Sequence, residues 1–152
     1  MLFRSRTFIR TLKRLGYKVA IISGGFAPFT DHLARELDLD HAYSNTLQVV
    51  DGVLTGEVEG DIIDADRKAS LLEDIALREG IPLEQTVAIG DGANDLPMLK
   101  KAGLGIAFNA KPALREAADT ALNVPYLDAI LFMLGVSREE VEAADALDTN
   151  FQ

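Results

Sequence analysis

The chain contains no cysteine. This excludes disulfides, a thiol nucleophile and any zinc site built on thiolates. It also fits a reducing compartment, and the expected location is the cytoplasm. No apolar run approaches the length of a bilayer span, so no membrane partner is expected. Basic residues are in deficit: 15 Lys and Arg stand against 24 Asp and Glu, a formal net charge of -9. A general nucleic-acid binder draws its affinity from cations on phosphates, so that class is set aside too. Acids are absent from the start of the chain. The first, Asp31, comes only after Arg4, Arg6, Arg10, Lys13, Arg14 and Lys18. An Arg-rich, acid-free start has the composition of a transit peptide. The helical spacing of Phe8, Ile9, Leu12 and Leu15 favours instead a helix with a solvated basic face.

What remains is a chain of 152 residues, 48% hydrophobic and 26% charged, enough for one domain with a real core. No internal repeat, linker or low-complexity segment interrupts it. Thr7 to Leu15 reads as an amphipathic helix capped by Gly16, and Tyr17 to Ile22 as a strand ending at Ser23-Gly24-Gly25. A helix is predicted from about Pro28 to Leu37, with Leu33 and Leu37 facing inward. Leu47 to Val58 reads as a hairpin turning at Asp51-Gly52. Asp64 or Asp66 caps a long helix through Arg78, closed by Gly80 and Pro82. Further strands are predicted at Leu104 to Ala107 and Thr120 to Val124, with helices at Pro112 to Ala118 and Leu127 to Leu134. Ser137 to Glu140 is a capping box that starts a final acidic helix. Strands and helices alternate, which predicts an α/β fold with a mostly parallel sheet covered on both faces. His32, in a helix pattern, and His41, in a loop, each stand alone and suit surface roles better than metal ligation.

The stretch that organises the rest is Thr86 to Met98, T-V-A-I-G-D-G-A-N-D-L-P-M. Val87, Ala88 and Ile89 suit a short buried parallel strand. Gly90-Asp91-Gly92 then allows a tight turn, and Asn94 or Asp95 can cap a helix with Pro97 in its first turn. Open α/β sheets bind ligands at the carboxyl ends of their strands, where Asp91, Asn94 and Asp95 fall. Two acids and an amide there suit a hard cation such as Mg2+, although the same residue types also make ordinary turns. Two further features point the same way. Ser23 and Gly24 end a strand beside a helix start, a cradle for an anion or else a plain loop. Lys68 stands in the first turn of its helix, against the dipole, where a merely solvated lysine is the alternative. Together these groups describe a site for a phosphate: a hydroxyl and amides, one neutralising Lys and one Mg2+ held by Asp91.

These motifs resemble those of the haloacid dehalogenase superfamily: Ser23-Gly24-Gly25 after a strand, Lys68 near a helix start, and G-D-G-A-N-D at 90–95. Within it the phosphoserine phosphatase family is the closer likeness. I-I-S-G-G-F at 21–26, V-D-G-V-L-T-G at 50–56, G-D-G-A-N-D-L-P-M at 90–98 and F-N-A-K-P at 108–112 carry it. The likeness runs from about Arg6 to Gly135. It implies a Rossmann-like three-layer sandwich that hydrolyses O-phosphoserine through an aspartyl-phosphate, the last step of serine biosynthesis. It also implies roles. Ser23 and Gly24 hold the phosphate, and Lys68 steadies it and the nucleophile. Asp91 holds Mg2+, Asn94 contacts the substrate, and Asp95 braces the loop.

One departure is large. The family's first motif, D-x-D-x-T or D-x-D-x-V, belongs before Ser23, yet residues 1–22 hold no Asp or Glu. Asp38-Leu-Asp40 and Asp64-Ala-Asp66 have the spacing, but they come too late and follow no apolar strand. The attacking and acid/base carboxylates, and the helical cap that usually follows them, are therefore expected to be missing. The chain is expected to be a C-terminal part of the catalytic core, inactive as written. Met1 to Ser5 fit no family pattern, and L-F-R-S is also what a common sequencing adaptor encodes. The expected organisation is thus a foreign start at 1–5, a partial core at 6–135, and an acidic helix with a fraying tail at 136–152. In the superfamily the first-motif strand lies between the Ser23 and Asp91 strands. Without it, these two either close up or present bare edges, and self-association through those edges is expected. A silent phosphate- or Mg-binding module, a module completed by another chain, and a phosphatase for another small phosphomonoester are the alternatives.

Overall fold

The computed structural model describes residues 2–147, and Met1 and the end of the acidic tail lie outside them. In chain order the elements are α1 (Leu2–Arg14), β1 (Ala20–Phe26), α2 (Ala27–Leu37), β2 (His41–Val50), β3 (Val53–Glu59) and α3 (Ala65–Glu79). Then come β4 (Val87–Gly90), α4 (Leu96–Lys101), β5 (Leu104–Phe108), α5 (Pro112–Ala117), β6 (Thr120–Leu122), α6 (Ala129–Met133) and α7 (Arg138–Ala146). The predicted alternation of strands and helices holds. The chain divides into two compact units, one made of its two ends, up to Val19 and from Val124, and the other of Ala20–Asn123.

In the unit formed by the ends, α1 packs on α6 and α7. Phe8, Ile9 and Leu12 are buried as their spacing predicts, but Leu15 lies past the helix end and is exposed. The helix closes on Gly16, whose positive φ of 87° suits a residue without a side chain. Thr7 donates to the Asp145 carboxylate at 3.1 Å, and Arg14 donates to the Ala143 carbonyl at 3.1 Å. The basic face is more than solvated. Arg4 lies 3.6 Å above the Tyr126 ring and 3.8 Å from Asp128. Ser137 and Glu140 cap α7 reciprocally, as predicted.

The larger unit holds all the strands. They form two three-stranded sheets, ordered β1-β2-β3 and β4-β5-β6. The pairs β1–β2, β4–β5 and β5–β6 are parallel, while β2–β3 is the antiparallel hairpin. Among the described residues no ladder joins β1 to β4, so each keeps one unpaired edge. Of the two arrangements expected without a strand between them, the open one is observed. One expectation is corrected: His41 opens β2 rather than lying in a loop. Residues 41–45 pair with β1 before the chain enters the hairpin. That hairpin turns at Asp51 and Gly52, both at positive φ, as a tight two-residue connection requires.

Ala69 of α3, Ala88 of β4, Met98 and Leu99 of α4, Ala107 of β5 and Leu114 of α5 form the core, and Ile22 of β1 packs against it. On α2 the inward residue is Thr30, and Leu33 and Leu37 are only half-buried. The last strand stops at Leu122 and α6 begins at Ala129, both shorter than predicted.

Candidate active site

The loop after β4 is built around one carboxylate. Asp95 ends a single 3-10 turn, Ala93–Asp95, and stands where it could cap α4, but its side chain turns back instead. One oxygen accepts the backbone N–H groups of Asp91 and Gly92, each at 3.1 Å. The other accepts the Lys68 ammonium at 2.7 Å. In return the Asp95 N–H donates to the Gly92 carbonyl at 2.9 Å. The fold can be this tight because Gly90 has no side chain. A Cβ there would sit 2.4 Å from the Cβ of Asp95.

Lys68 is the fourth residue of α3, whose first turn is organised by Asp64. The Asp64 carboxylate accepts the Arg67 N–H at 2.8 Å, and its carbonyl accepts the Lys68 N–H at 3.0 Å. A solvated lysine is not what the structure holds. Lys68 and Asp95 are each only 6% exposed. A cation facing the positive end of a helix is disfavoured, and burial compounds the cost. The Asp95 carboxylate offsets both while tying α3 to the β4 loop.

Ser23 and Gly24 lie where the β1–β2 register breaks, between Ile22 and Phe26. There the Ser23 hydroxyl oxygen accepts the Gly25 N–H at 3.0 Å. Asn45 of β2, which the motifs did not single out, fastens this turn. Its amide donates to the Gly24 carbonyl and accepts the Ile63 N–H, both at 2.8 Å. Ile63 directly precedes the cap of α3. The structure thus joins Lys68, Asp95 and the Asp91-Gly92 backbone directly, and links Ser23-Gly24 to the start of α3 through Asn45. Local sequence offers no signal for Asn45, since its partners lie 21 and 18 residues away.

Asp91 and Asn94 are exposed. Asp95 is fully engaged, so Asp91 is the carboxylate of this loop left to meet a cation. Among the described residues, no three His, Cys, Asp or Glu side chains gather as a metal site. His41 is taken up by Glu79 at 2.7 Å. Mg2+ takes about six oxygens in near-octahedral geometry. One carboxylate does not make that site, so the residues present do not by themselves fit the ion.

The chain is 64% identical over 143 residues to a phosphoserine phosphatase of Streptomyces coelicolor, covering 94% of this chain and 35% of that protein. It superposes on a probable phosphoserine phosphatase of Vibrio cholerae in unliganded form with a TM-score of 0.81 and 43% identity, covering 89% of this chain and 42% of that one. A substrate-bound phosphoserine phosphatase complex matches at TM-score 0.80 and 50% identity, over 85% of this chain and 61% of that one. The chain therefore spans between about a third and three fifths of these relatives. The sequence model of the haloacid dehalogenase-like hydrolases matches residues 4–100, a stretch that includes the serine turn, the buried lysine and the whole Asp91–Asp95 loop. By that match and by its α/β architecture, the chain belongs to the haloacid dehalogenase-like hydrolases.

Proposed function

We propose that this chain carries the phosphate-handling part of a phosphoserine phosphatase. The observation that carries the reading is the buried Lys68–Asp95 pair, at 2.7 Å, tied to the Asp91-Gly92 backbone. The likeness to a phosphoserine phosphatase at 64% identity supports O-phosphoserine as the substrate. Ser23 and the backbone at Gly24 donate to the phosphate, and Lys68 supplies the balancing positive charge. Asn94, exposed in the loop after β4, contacts the rest of the substrate. Asp95 holds the loop and the lysine in place. Asp91 would contribute one oxygen if Mg2+ were bound, too few to hold the ion without further ligands. The setting is serine biosynthesis in the cytoplasm.

Covalent phosphoryl transfer needs an attacking carboxylate, and residues 1–22 hold no Asp or Glu. The 152-residue chain is therefore expected to bind inorganic phosphate without hydrolysing O-phosphoserine. Titration with phosphate, followed through the amide signals of residues 23–25 and 91–95, checks binding, and a serine-release assay checks turnover. Serine release above the buffer rate would contradict the assignment of the missing attacker. Lack of any phosphate response at those amides would contradict the phosphate site itself.

A second reading is favoured by one observation, the unpaired edges of β1 and β4. It takes the chain as a silent module that another chain completes by adding a strand. Mixing the protein with a peptide that carries a D-x-D-x-T strand separates the two. Restored serine release supports completion by a strand, and phosphate binding unchanged by the peptide argues against it.

A further inference from the structure

We propose that Asn45 is a positioning residue that turns the Ser23 hydroxyl into a phosphate donor and holds it in register with Lys68. The proposal rests on the phosphate-site reading above. Asn45 is 7% exposed, so its amide is not satisfied by solvent. Its orientation is unambiguous, because the Gly24 carbonyl only accepts and the Ile63 N–H only donates. By holding the Gly24 carbonyl at 2.8 Å, Asn45 fixes the plane of the Gly24–Gly25 peptide. The N–H of that same peptide belongs to Gly25, and it donates to the Ser23 hydroxyl oxygen at 3.0 Å. A hydroxyl that accepts from the backbone directs its own proton elsewhere, toward an incoming anion. At its other end the same amide accepts the Ile63 N–H at 2.8 Å, one residue before the Asp64 cap of the helix that carries Lys68. A single side chain therefore registers the hydroxyl against the ammonium. No other side chain of similar size does both. Asp lacks the donor, Ser and Thr lack the span, and Gln is one carbon too long.

The test uses the intact 152-residue chain, inorganic phosphate as the probe, and the variants Asn45→Ala, Asn45→Asp and Ser23→Ala. Amide signals of β5 report that each variant is folded. Ser23→Ala is expected to abolish the response at residues 23–25. Asn45→Ala and Asn45→Asp are each expected to weaken phosphate binding roughly tenfold at neutral pH, the usual scale for a buried hydrogen bond left unmade. The pH profile separates positioning from simple packing. Asn45→Asp keeps the acceptor for Ile63 and regains a donor once its carboxyl is protonated, which burial moves to higher pH. Its affinity should then overtake that of Asn45→Ala, with wild type measured at each pH. Wild-type affinity in Asn45→Ala, or no recovery of Asn45→Asp over Asn45→Ala at any pH, overturns the proposal and leaves the phosphate site standing. No phosphate response in the wild type overturns the site and the proposal with it.

Discussion

At the scale of single residues the molecule turns on Asp95, whose carboxylate receives two backbone amides and one ammonium. Removing one partner of a buried pair strands the other, so Lys68→Met should cost about 3–5 kcal/mol, measured by urea denaturation. Lys68→Met combined with Asp95→Asn should cost less than the two changes added together, because the pair acts as a unit. A Lys68→Met loss below about 1 kcal/mol would mean that the pair is solvated after all. Gly90→Ala meets Asp95 directly and should cost about 1–3 kcal/mol while loosening the 91–95 amides, visible as faster exchange there. How much of this could be read beforehand differs by residue. The glycines and acids at 90–95 announce a turn by composition alone. The burial of Lys68 depends on a partner 27 residues away, which no local pattern reports. Asn45 was silent for the same reason.

At the scale of elements, the helices were the legible part. Apolar spacing on α1, the Asp64 cap and Gly80 end of α3, and the Ser137 box of α7 all rest on local chemistry. The first half of β2 was not legible. H-A-Y-S-N at 41–45 lacks strand formers other than Tyr43, and it is held extended by its pairing with β1. β1 shows the opposite mismatch. Its apolar body reads as a buried strand, yet none of its residues is fully buried. The α7 cap gives a pH prediction. The Ser137 backbone N–H, and then its hydroxyl, hold the Glu140 carboxyl below its ordinary value of 4.5. A lowered folded value means that the cap contributes fully above the unfolded value and is lost as pH falls through the folded one. A carbon-detected titration should place Glu140 below 4.5. In Glu140→Gln the helix signal of α7 should depend less on acid than in the wild type. A midpoint at or above 4.5 would count against the capping box.

For the whole molecule, the decisive feature is that the described strands form two sheets with unpaired edges on β1 and β4. Unpaired edges recruit strands from other molecules. Sedimentation at increasing concentration should therefore show a mass that rises above one chain, and a single species of 16.5 kDa at every concentration would refute this. The separation has a consequence for how the protein breathes. With no ladder between them, the two sheets can surrender their backbone protons to solvent in separate events. The middle strand of one, β5, buries Ile106 and Ala107 completely, whereas β3 lies almost wholly in the open. In deuterium the chain should sort into a fast-labelling layer, β1 to β3, and a slow one, β4 to β6. What its alternating sequence writes as a continuous weave would then loosen as two fabrics, with the proposed phosphate cradle stitched to the looser one.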